Sequence, residues 1–368
     1  MKICHVTSVH KLNDVRIFLK ECKSLSKHYD VTLLGNDPNN DYYDENIKIV
    51  NIKIKFNNRI ERIKNTSKIF LKEALKINAD IYHLHDPELL NLATTLKKYN
   101  KKVVFDFHED TPKQILAKHY IPMFLRRPIS FAYKIQENKK AKQFDAIVAA
   151  TPYLRDKFLK INKNTVDVNN FPILDEFINI PNIFSEKKYD LIYIGGISPE
   201  RGLFEMVDIM NKLPDKSLLI CGPFVSESYK EKALQKIKNN NITFSGVLNR
   251  NEIQDALKNS RIGLVLLEKN DRYAESLPIK MFEYMAASLP VIVTDFDLWK
   301  KIIDDAKSGY YFNPQNINDI VICIENLLKD QENMKILGES GRKFVMDRYN
   351  WENEEKKLLN LYKKLEEK

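Results

Sequence analysis

Residues 274–295, AESLPIKMFEYMAASLPVIVTD, place a predicted helix directly before an apolar strand. Pro278 suits the first turn of that helix, predicted over 278–288, because an amide at that position has no intrahelical partner to lose. The following run, PVIVTD, is apolar without alternation, which is typical of a strand covered on both faces. A packed helix followed by a buried strand is the repeating unit of an α/β protein with a parallel sheet.

The same alternation extends from this segment over nearly the whole chain. In the first half the predicted strands are KICHVTS, DVTLLG, IKIVNI, IYHLH, KVVFDF and DAIVAA, with helices at 15–27, 60–76, 87–98 and about 128–143. In the second half they are DLIYIG, SLLICG, NITFSG, IGLVLL, PVIVTD and GYYF, with helices at about 202–213, 226–240, 250–259 and 278–288. The sequence therefore predicts an α/β protein with two Rossmann-like, doubly wound units.

The length of 368 residues agrees with two domains, because a single hydrophobic core rarely grows that large. The segment VDVNNFPILDEF, with its Asn and Pro residues, reads as the linker between them. The four cysteines lie far apart and predict ordinary thiols in a reducing compartment.

The net charge of +9 raises the question of an anionic partner. The basic residues are scattered among acids, without the stripe of cations and aromatics that nucleic-acid binding requires, so we expect no nucleic acid partner. Two basic amphipathic segments, 53–76 and 118–142, are either solvated helix faces or weak contacts with an anionic membrane. No apolar run is long enough for a transmembrane helix, so we expect a soluble cytoplasmic protein.

Two glutamates of the opening segment are candidate ligand-binding residues. Glu275 precedes the predicted helix and Glu283 lies within it, eight residues later. Eight helical residues advance about 12 Å. A carboxylate on a packed helix needs a partner, and for Glu283 this is either a ligand hydroxyl pair or Lys280, one helical turn earlier.

The loop IGGISPERGLFEM follows the first strand of the second half. In open α/β sheets ligands bind beyond the carboxyl ends of the strands. Gly195 and Gly196 would let the backbone approach a diphosphate, and Arg201 would add positive charge. A tight structural turn explains the glycines equally well.

The segment with Glu275 and Glu283 resembles the E-x7-E signature of retaining family 4 glycosyltransferases (glycosyl transferases group 1) of the GT-B fold, bacterial surface-polysaccharide type. The resemblance implies that Glu275 holds the hydroxyls of the donor sugar beside the reacting carbon and that Glu283 binds the ribose. It also places the Ser276 and Leu277 amides at a helix N-terminus, where they would meet donor oxygens.

The glycine loop is similar to the segment in which that family neutralises the leaving diphosphate with two cations. Arg201 matches the second cation, whereas Gly196 stands where the family often has arginine. Lys280 is our candidate for the missing charge.

In the first half, VVFDFHED resembles the family's strand ending in a histidine that contacts the donor sugar. His108 is therefore assigned to catalysis together with Glu275. The opening TSVHKLND lacks the family's usual glycine pair; there Asp14 and Arg16 either contact donor or acceptor, or serve as a helix N-cap with a partnered arginine. His85 and Asp86, in IYHLHDPELL, are read as structural or acceptor-side residues.

The resemblance implies two Rossmann-like domains facing across a cleft. Residues 1–170 would form the acceptor-side domain, with a C-terminal helix at about 351–368 packing back on it, and 171–350 the nucleotide-sugar-binding domain. The expected reaction transfers a sugar, with retention of anomeric configuration, from a nucleotide-sugar donor to a glycan or lipid-linked acceptor. Whether the protein also contacts the plasma membrane peripherally stays open.

We expect no cofactor and no metal, because the sequence has neither an Asp-x-Asp motif after a strand nor a His/Cys cluster with ligand spacing. Two alternatives stay open, since fold does not determine function. One is a sugar-nucleotide epimerase of the same fold, and the other is a non-catalytic nucleotide-sugar-binding protein.

Overall fold

The computed structural model describes residues 1–118, 121–180 and 187–367. Its internal contacts divide the chain into two compact units. The first unit comprises Met1–Asn170 with Trp351–Lys368, and the second comprises Phe171–Asn350. Within the described ranges, no helix is both long and apolar enough to cross a bilayer.

The first unit is built on a parallel sheet with the described strand order β3-β2-β1-β4-β5-β6-β7. The strands are β1 (Lys2–Val6), β2 (Asp30–Gly35), β3 (Lys48–Asn51), β4 (Ile81–Leu84), β5 (Lys102–Phe107), β6 (Ala146–Ala149) and β7 (Thr165–Asp167). The first six were predicted. β7 was wrongly assigned to the linker, because a three-residue edge strand carries too little pattern to be recognised.

Helices and 3-10 turns connect these strands and close the unit. They are Val15–Cys22, which is π-helical and continues into Lys23–Ser26, then Arg59–Ile77, Pro87–Leu89, Leu90–Lys98, Thr111–Ala117, Met123–Ala141, Pro152–Leu159 and Trp351–Glu366. Thr111–Ala117 and Pro152–Leu159 were missed by the sequence analysis. Both begin with a capping side chain, from Asp110 and Thr151, followed by a proline in the first turn.

The second unit repeats this architecture, with the described strand order β10-β9-β8-β11-β12-β13. Its strands are β8 (Tyr189–Ile194), β9 (Leu218–Cys221), β10 (Ile242–Gly246), β11 (Ser260–Val265), β12 (Val291–Thr294) and β13 (Gly309–Phe312). Its helices and 3-10 turns are Leu174–Glu176, Pro199–Arg201, Leu203–Lys212, Glu227–Lys236, Arg250–Lys258, Asp271–Ala274, Ile279–Ala286, Asp297–Ala306, Ile317–Lys329 and Gln331–Asp347. The expected α/β fold of two doubly wound units is confirmed.

The helix Ile279–Ala286, hereafter the site helix, packs closely on β11. A Cβ atom at Gly263 would lie 2.2 Å from Cδ2 of Tyr284, so this approach requires glycine at that position. The Ile194 amide, at the end of β8, donates a 2.8 Å hydrogen bond to the Tyr284 hydroxyl. The site helix is thereby fixed against the carboxyl end of β8, where the glycine loop begins.

The C-terminal helix Trp351–Glu366 packs within the first unit. The Trp351 indole donates a 2.9 Å hydrogen bond to the Ser24 hydroxyl, and the Asn169 amide donates to Glu354 at 2.8 Å. Leu358 and Tyr362 are fully buried. The last helix therefore completes the core that the first 170 residues begin.

We expect Leu358→Ala to lower the free energy of unfolding by about 2–5 kcal/mol, because it leaves a cavity in a buried interface. Urea-induced unfolding measures the change. Lys356→Ala, on the exposed side of the same helix, should change stability by less than about 0.5 kcal/mol. Equal effects of the two substitutions would contradict the packing described for this helix.

Candidate functional site

The loop after β8 is shaped by glycines. Gly195 has φ +135°, and the backbone of Gly222 comes so close that a Cβ there would lie 2.0 Å from the Gly195 carbonyl oxygen. Gly202, with φ +81°, begins the helix Leu203–Lys212 and leaves no room for a side chain against the Leu266 carbonyl. The backbone of this loop therefore packs directly against neighbouring backbone at the carboxyl edge of the sheet.

Two cations, Lys280 and Arg201, lie beside this glycine pair. A Cβ atom built on Gly195 would be 2.7 Å from the Lys280 Nζ and 3.6 Å from an Arg201 Nη1 atom. The Lys280 ammonium also sits 3.8 Å from the centre of the Tyr193 ring. The structure thus brings together four of the predicted site residues, Gly195, Gly196, Arg201 and Lys280.

The Lys280 ammonium is shielded from solvent and forms no hydrogen bond with any described residue. Burial lowers the pKa of this group well below its usual range, and the neighbouring Arg201 charge lowers it further, against a smaller opposing effect of Glu283. No ion pair joins Arg201 to a carboxylate in the described part of the chain. Two clustered cations without a counter-ion form a site that an anion would stabilise.

Glu283 is buried on the site helix and pairs with Arg250 rather than with Lys280. Arg250 Nη1 donates to a Glu283 oxygen at 2.8 Å, and the same guanidinium binds Glu176. The Lys280 pair, which was one of the two alternatives for Glu283, is not formed, because Arg250 on the helix Arg250–Lys258 compensates the carboxylate. A ligand hydroxyl at Glu283 would share it with Arg250, a residue that the sequence analysis missed.

Glu275 is exposed at the end of Asp271–Ala274, where its backbone amide donates to the Tyr273 carbonyl, and its carboxylate forms no hydrogen bond or ion pair with the described residues. The Ser276 amide is engaged, since it donates to the Tyr273 carbonyl at 3.0 Å. The Leu277 amide has no such bond among the described contacts, so of the two amides expected to meet donor oxygens, the one without a protein partner there is Leu277. The site helix begins at Ile279 with Pro278 as its N-cap, one residue later than predicted.

In the first unit, His108 follows β5 and lines a cavity of about 240 Å³. His108 Nε2 lies 3.0 Å from Asp106 Oδ2. The imidazole is one-fifth exposed, whereas the aspartate is buried. This geometry leaves one face of His108 open to a ligand while Asp106 fixes its orientation.

Asp106 is itself held by Arg16 through two hydrogen bonds of 2.8 and 2.9 Å. Burial alone would raise the pKa of Asp106, but Arg16 and His108 hold it well below its usual range. Asp14 accepts hydrogen bonds from the Arg16 and Ile17 amides. Asp14 is therefore the N-cap, and buried Arg16 the partnered arginine, of the structural alternative stated above.

A buried histidine cluster that shares His85 with this cavity was not predicted from sequence spacing. Ring nitrogens of His5, His83 and His85 and an oxygen of Glu21 lie within 4.8 Å of one another, close enough to hold a metal ion. His5 Nδ1 and His85 Nε2 are already 2.9 Å apart in a hydrogen bond. Burial lowers the pKa of His85 to about 4. Hydrogen bonds satisfy only part of this cluster, because both Glu21 oxygens and the Nε2 atoms of His5 and His83 are buried without a hydrogen-bond partner among the described residues. His85 also lines the cavity beside His108, so both readings of this residue, structural and acceptor-side, stay open.

Asp86, next to His85, organises the loop after β1. It accepts hydrogen bonds from the Thr7 hydroxyl and the Ser8 amide, at 2.8 and 2.6 Å, and lies 2.9 Å from His10. Burial would raise the pKa of Asp86, but these partners, chiefly His10, lower it to about 2. The carboxylate thus anchors the loop that in sequence lacks a glycine pair.

Comparison with family models matches both units. The model "Glycosyl transferases group 1" matches residues 175–344, and "Glycosyltransferase Family 4" matches residues 16–168. Among curated relatives, sulfoquinovosyl transferase SQD2 of Arabidopsis thaliana is 27% identical over 173 residues, 46% of this chain and 32% of that protein. The chain thus spans about a third of that relative's length.

Solved structures share the fold over the whole chain. Sucrose-phosphate synthase from Thermosynechococcus elongatus superposes with a TM-score of 0.78 at 16% identity, covering 99% of this chain and 98% of that one. Anabaena HepE, solved in complex with UDP and glucose, gives a TM-score of 0.75 at 12% identity and covers 99% and 100%. At these identities the similarity establishes the fold alone.

We expect Lys280→Met to raise the free energy of unfolding by about 1 kcal/mol, because it removes a shielded polar group without a hydrogen bond. The same change should weaken binding of inorganic pyrophosphate at least about tenfold, equivalent to 1.4 kcal/mol. Urea unfolding and calorimetric titration measure the two effects. The control is Lys258→Met, at an exposed position of the same unit. If Lys280→Met left the pyrophosphate affinity unchanged, Lys280 would not be part of the anion site.

We expect Asp86→Asn to lower the free energy of unfolding at neutral pH by about 2 kcal/mol, because the pKa of Asp86 is depressed by roughly two units. Because the folded pKa is the lower one, this stabilisation is present above about pH 4 and is lost as pH falls toward 2. In urea unfolding between pH 7 and 3, the free energy of unfolding should fall less steeply with decreasing pH in the variant than in the wild type. The exposed Asp30→Asn serves as control, and parallel pH profiles for wild type and Asp86→Asn would rule out the anchoring role.

Proposed function

This chain belongs to the group 1 and family 4 glycosyltransferases, and we propose that it moves a sugar from a nucleotide-sugar donor to an acceptor with retention of anomeric configuration. The observation that carries the proposal is the unpaired Lys280 ammonium beside Arg201 and the Gly195 backbone. A nucleoside diphosphate is the anion whose charge and extended shape suit two cations at a glycine loop.

The cations act on the leaving group. Breaking the bond between the anomeric carbon and the phosphate oxygen leaves an oxocarbenium-like sugar and a diphosphate with increased negative charge. Arg201 and Lys280 stabilise that charge, and the N-terminal end of Leu203–Lys212 adds its dipole. An ion pair with the diphosphate also favours the charged form of Lys280, so donor binding and charging of this lysine support each other.

The glutamates hold the rest of the donor. Glu275 is exposed and unpaired among the described residues, and its carboxylate accepts hydrogen bonds from the sugar hydroxyls. Glu283 is buried and already paired with Arg250. Its second oxygen accepts from a ribose hydroxyl. The division of roles follows from burial, since Glu275 is open to a hydrated sugar and Glu283 is fixed within the helix packing.

In the first unit, His108 contacts the donor sugar with its exposed face, and Asp106 keeps the imidazole oriented. The acceptor oxygen forms its bond to the anomeric carbon on the face that the phosphate leaves. The acceptor proton passes to the leaving phosphate oxygen, which balances the reaction without a metal ion or cofactor. Arg16 is a positioning residue here, because it acts on His108 through Asp106.

The acceptor we propose is a glycan or a lipid-linked intermediate of bacterial surface-polysaccharide assembly. Its support is the resemblance of the segment with Glu275 and Glu283 to glycosyltransferases of the bacterial surface-polysaccharide type. The corresponding location is the cytoplasm, with peripheral contact to the inner face of the plasma membrane. The proposal includes no nucleic acid partner.

The test is Glu275→Gln, assayed after nucleotide sugars have been screened for thermal stabilisation of the wild type. We expect turnover to fall about 100-fold or more, as for loss of one preorganised electrostatic contact. The melting temperature should stay unchanged, because the Glu275 carboxylate forms no hydrogen bond or ion pair with the described residues. Asp271→Asn, four residues away and also exposed, should keep full activity.

Product analysis separates the alternatives. A sugar-nucleotide epimerase would convert the donor in the absence of acceptor, and a non-catalytic protein would bind it without turnover. Either result, or full transfer by Glu275→Gln, would refute the proposed mechanism.

A further inference from the structure

The helix Met123–Ala141, hereafter the outer helix, exposes large apolar side chains. Met123, Phe124, Phe131 and Ile135 are 80, 77, 65 and 55% exposed. Single exposed apolar residues are common on protein surfaces, but several on one helix form a patch that requires an explanation. The buried residues of this helix are polar or small, namely Ser130, Glu137 and Ala141.

These apolar residues share one face of the outer helix. Phe124, Phe131 and Ile135 are spaced by seven and then four residues, which places them on a single stripe along the helix. The same periodicity puts Arg127 and Lys134 along one side of the stripe. Lys139 falls along its other side. The exposed face is therefore an apolar band flanked by cations.

The charge of this face has one sign. The outer helix contains five basic residues and one acid, Glu137. That glutamate is buried and accepts a 2.9 Å hydrogen bond from Lys157. The solvent-facing side is thus cationic, which favours a negatively charged partner.

The other basic segment singled out in the sequence behaves differently. In Arg59–Ile77 the apolar side chains of Phe70 and Ala74 are buried in the core. That helix is therefore an ordinary amphipathic helix with a solvated basic face. Two residues of the second segment, 119 and 120, lie outside the described residues, whereas the outer helix, 123–141, lies within them.

We infer that the outer helix lies in the interface of an anionic membrane. Aromatic and aliphatic side chains enter the boundary of the acyl chains, while lysines and arginines reach back to acidic headgroups. A second copy of this chain suits the surface less well, because two such faces would bring like charges together. The inference rests on the membrane contact of the proposed function and assigns it to one helix, whereas its test does not depend on sugar transfer.

Vesicle sedimentation of the full chain, without donor or acceptor, tests the inference. We expect at least tenfold stronger binding to phosphatidylcholine vesicles with about one-third phosphatidylglycerol than to phosphatidylcholine alone, weakening as salt rises. Phe124→Ser/Phe131→Ser and Arg127→Glu/Lys134→Glu should each lose most of this binding. The matched control is Leu234→Ser/Ile336→Ser, at residues that are 52 and 55% exposed in the second unit.

A fluorescence reporter locates the insertion. Phe124→Trp should shift its emission to the blue on anionic vesicles and be quenched by brominated acyl chains, while the native Trp299 and Trp351 are buried and provide a constant background. Absence of vesicle binding, binding unaffected by the outer-helix variants, or concentration-dependent dimerisation abolished by them would overturn the inference. Because no sugar transfer is measured, these outcomes are separate from those of the Glu275→Gln test.

Discussion

The packing of Tyr284 on Gly263 is the constraint on which the second unit's site depends. The absence of a side chain at Gly263 lets the site helix approach β11, and the Tyr284 hydroxyl ties that helix to the end of β8. From this fixed helix Lys280 reaches the glycine loop and Glu283 reaches Arg250. A single close contact thus sets the positions of both Lys280 and Glu283.

In the first unit, a chain of hydrogen-bonded side chains with a buried ion pair fixes the position of His108. Arg16 holds Asp106, and Asp106 holds His108, so two segments about 90 residues apart in sequence are joined. Breaking such a network leaves an uncompensated charge in the interior. The orientation of His108 is therefore coupled to the integrity of the core, whereas Glu275 is free of such coupling and open to solvent.

Sequence periodicity was sufficient for the fold because most strands are buried, apolar and bounded by turns. It failed for β7, which is three residues long, and for two helices whose start signals are short Asp-Thr-Pro and Thr-Pro motifs. Within the site, Lys280 and the glycine loop could be proposed from local sequence. Arg250 and the histidine cluster could not, because their partners come from separate segments and converge only through tertiary packing.

The discontinuous first unit has a consequence for how the protein is made. Its core is finished by Trp351–Glu366, which leave the ribosome after the entire second unit. During translation the second unit can fold as one continuous segment, while the first waits with the surface for Leu358 and Tyr362 uncovered. The part of the chain synthesised first is therefore the last to reach its native state.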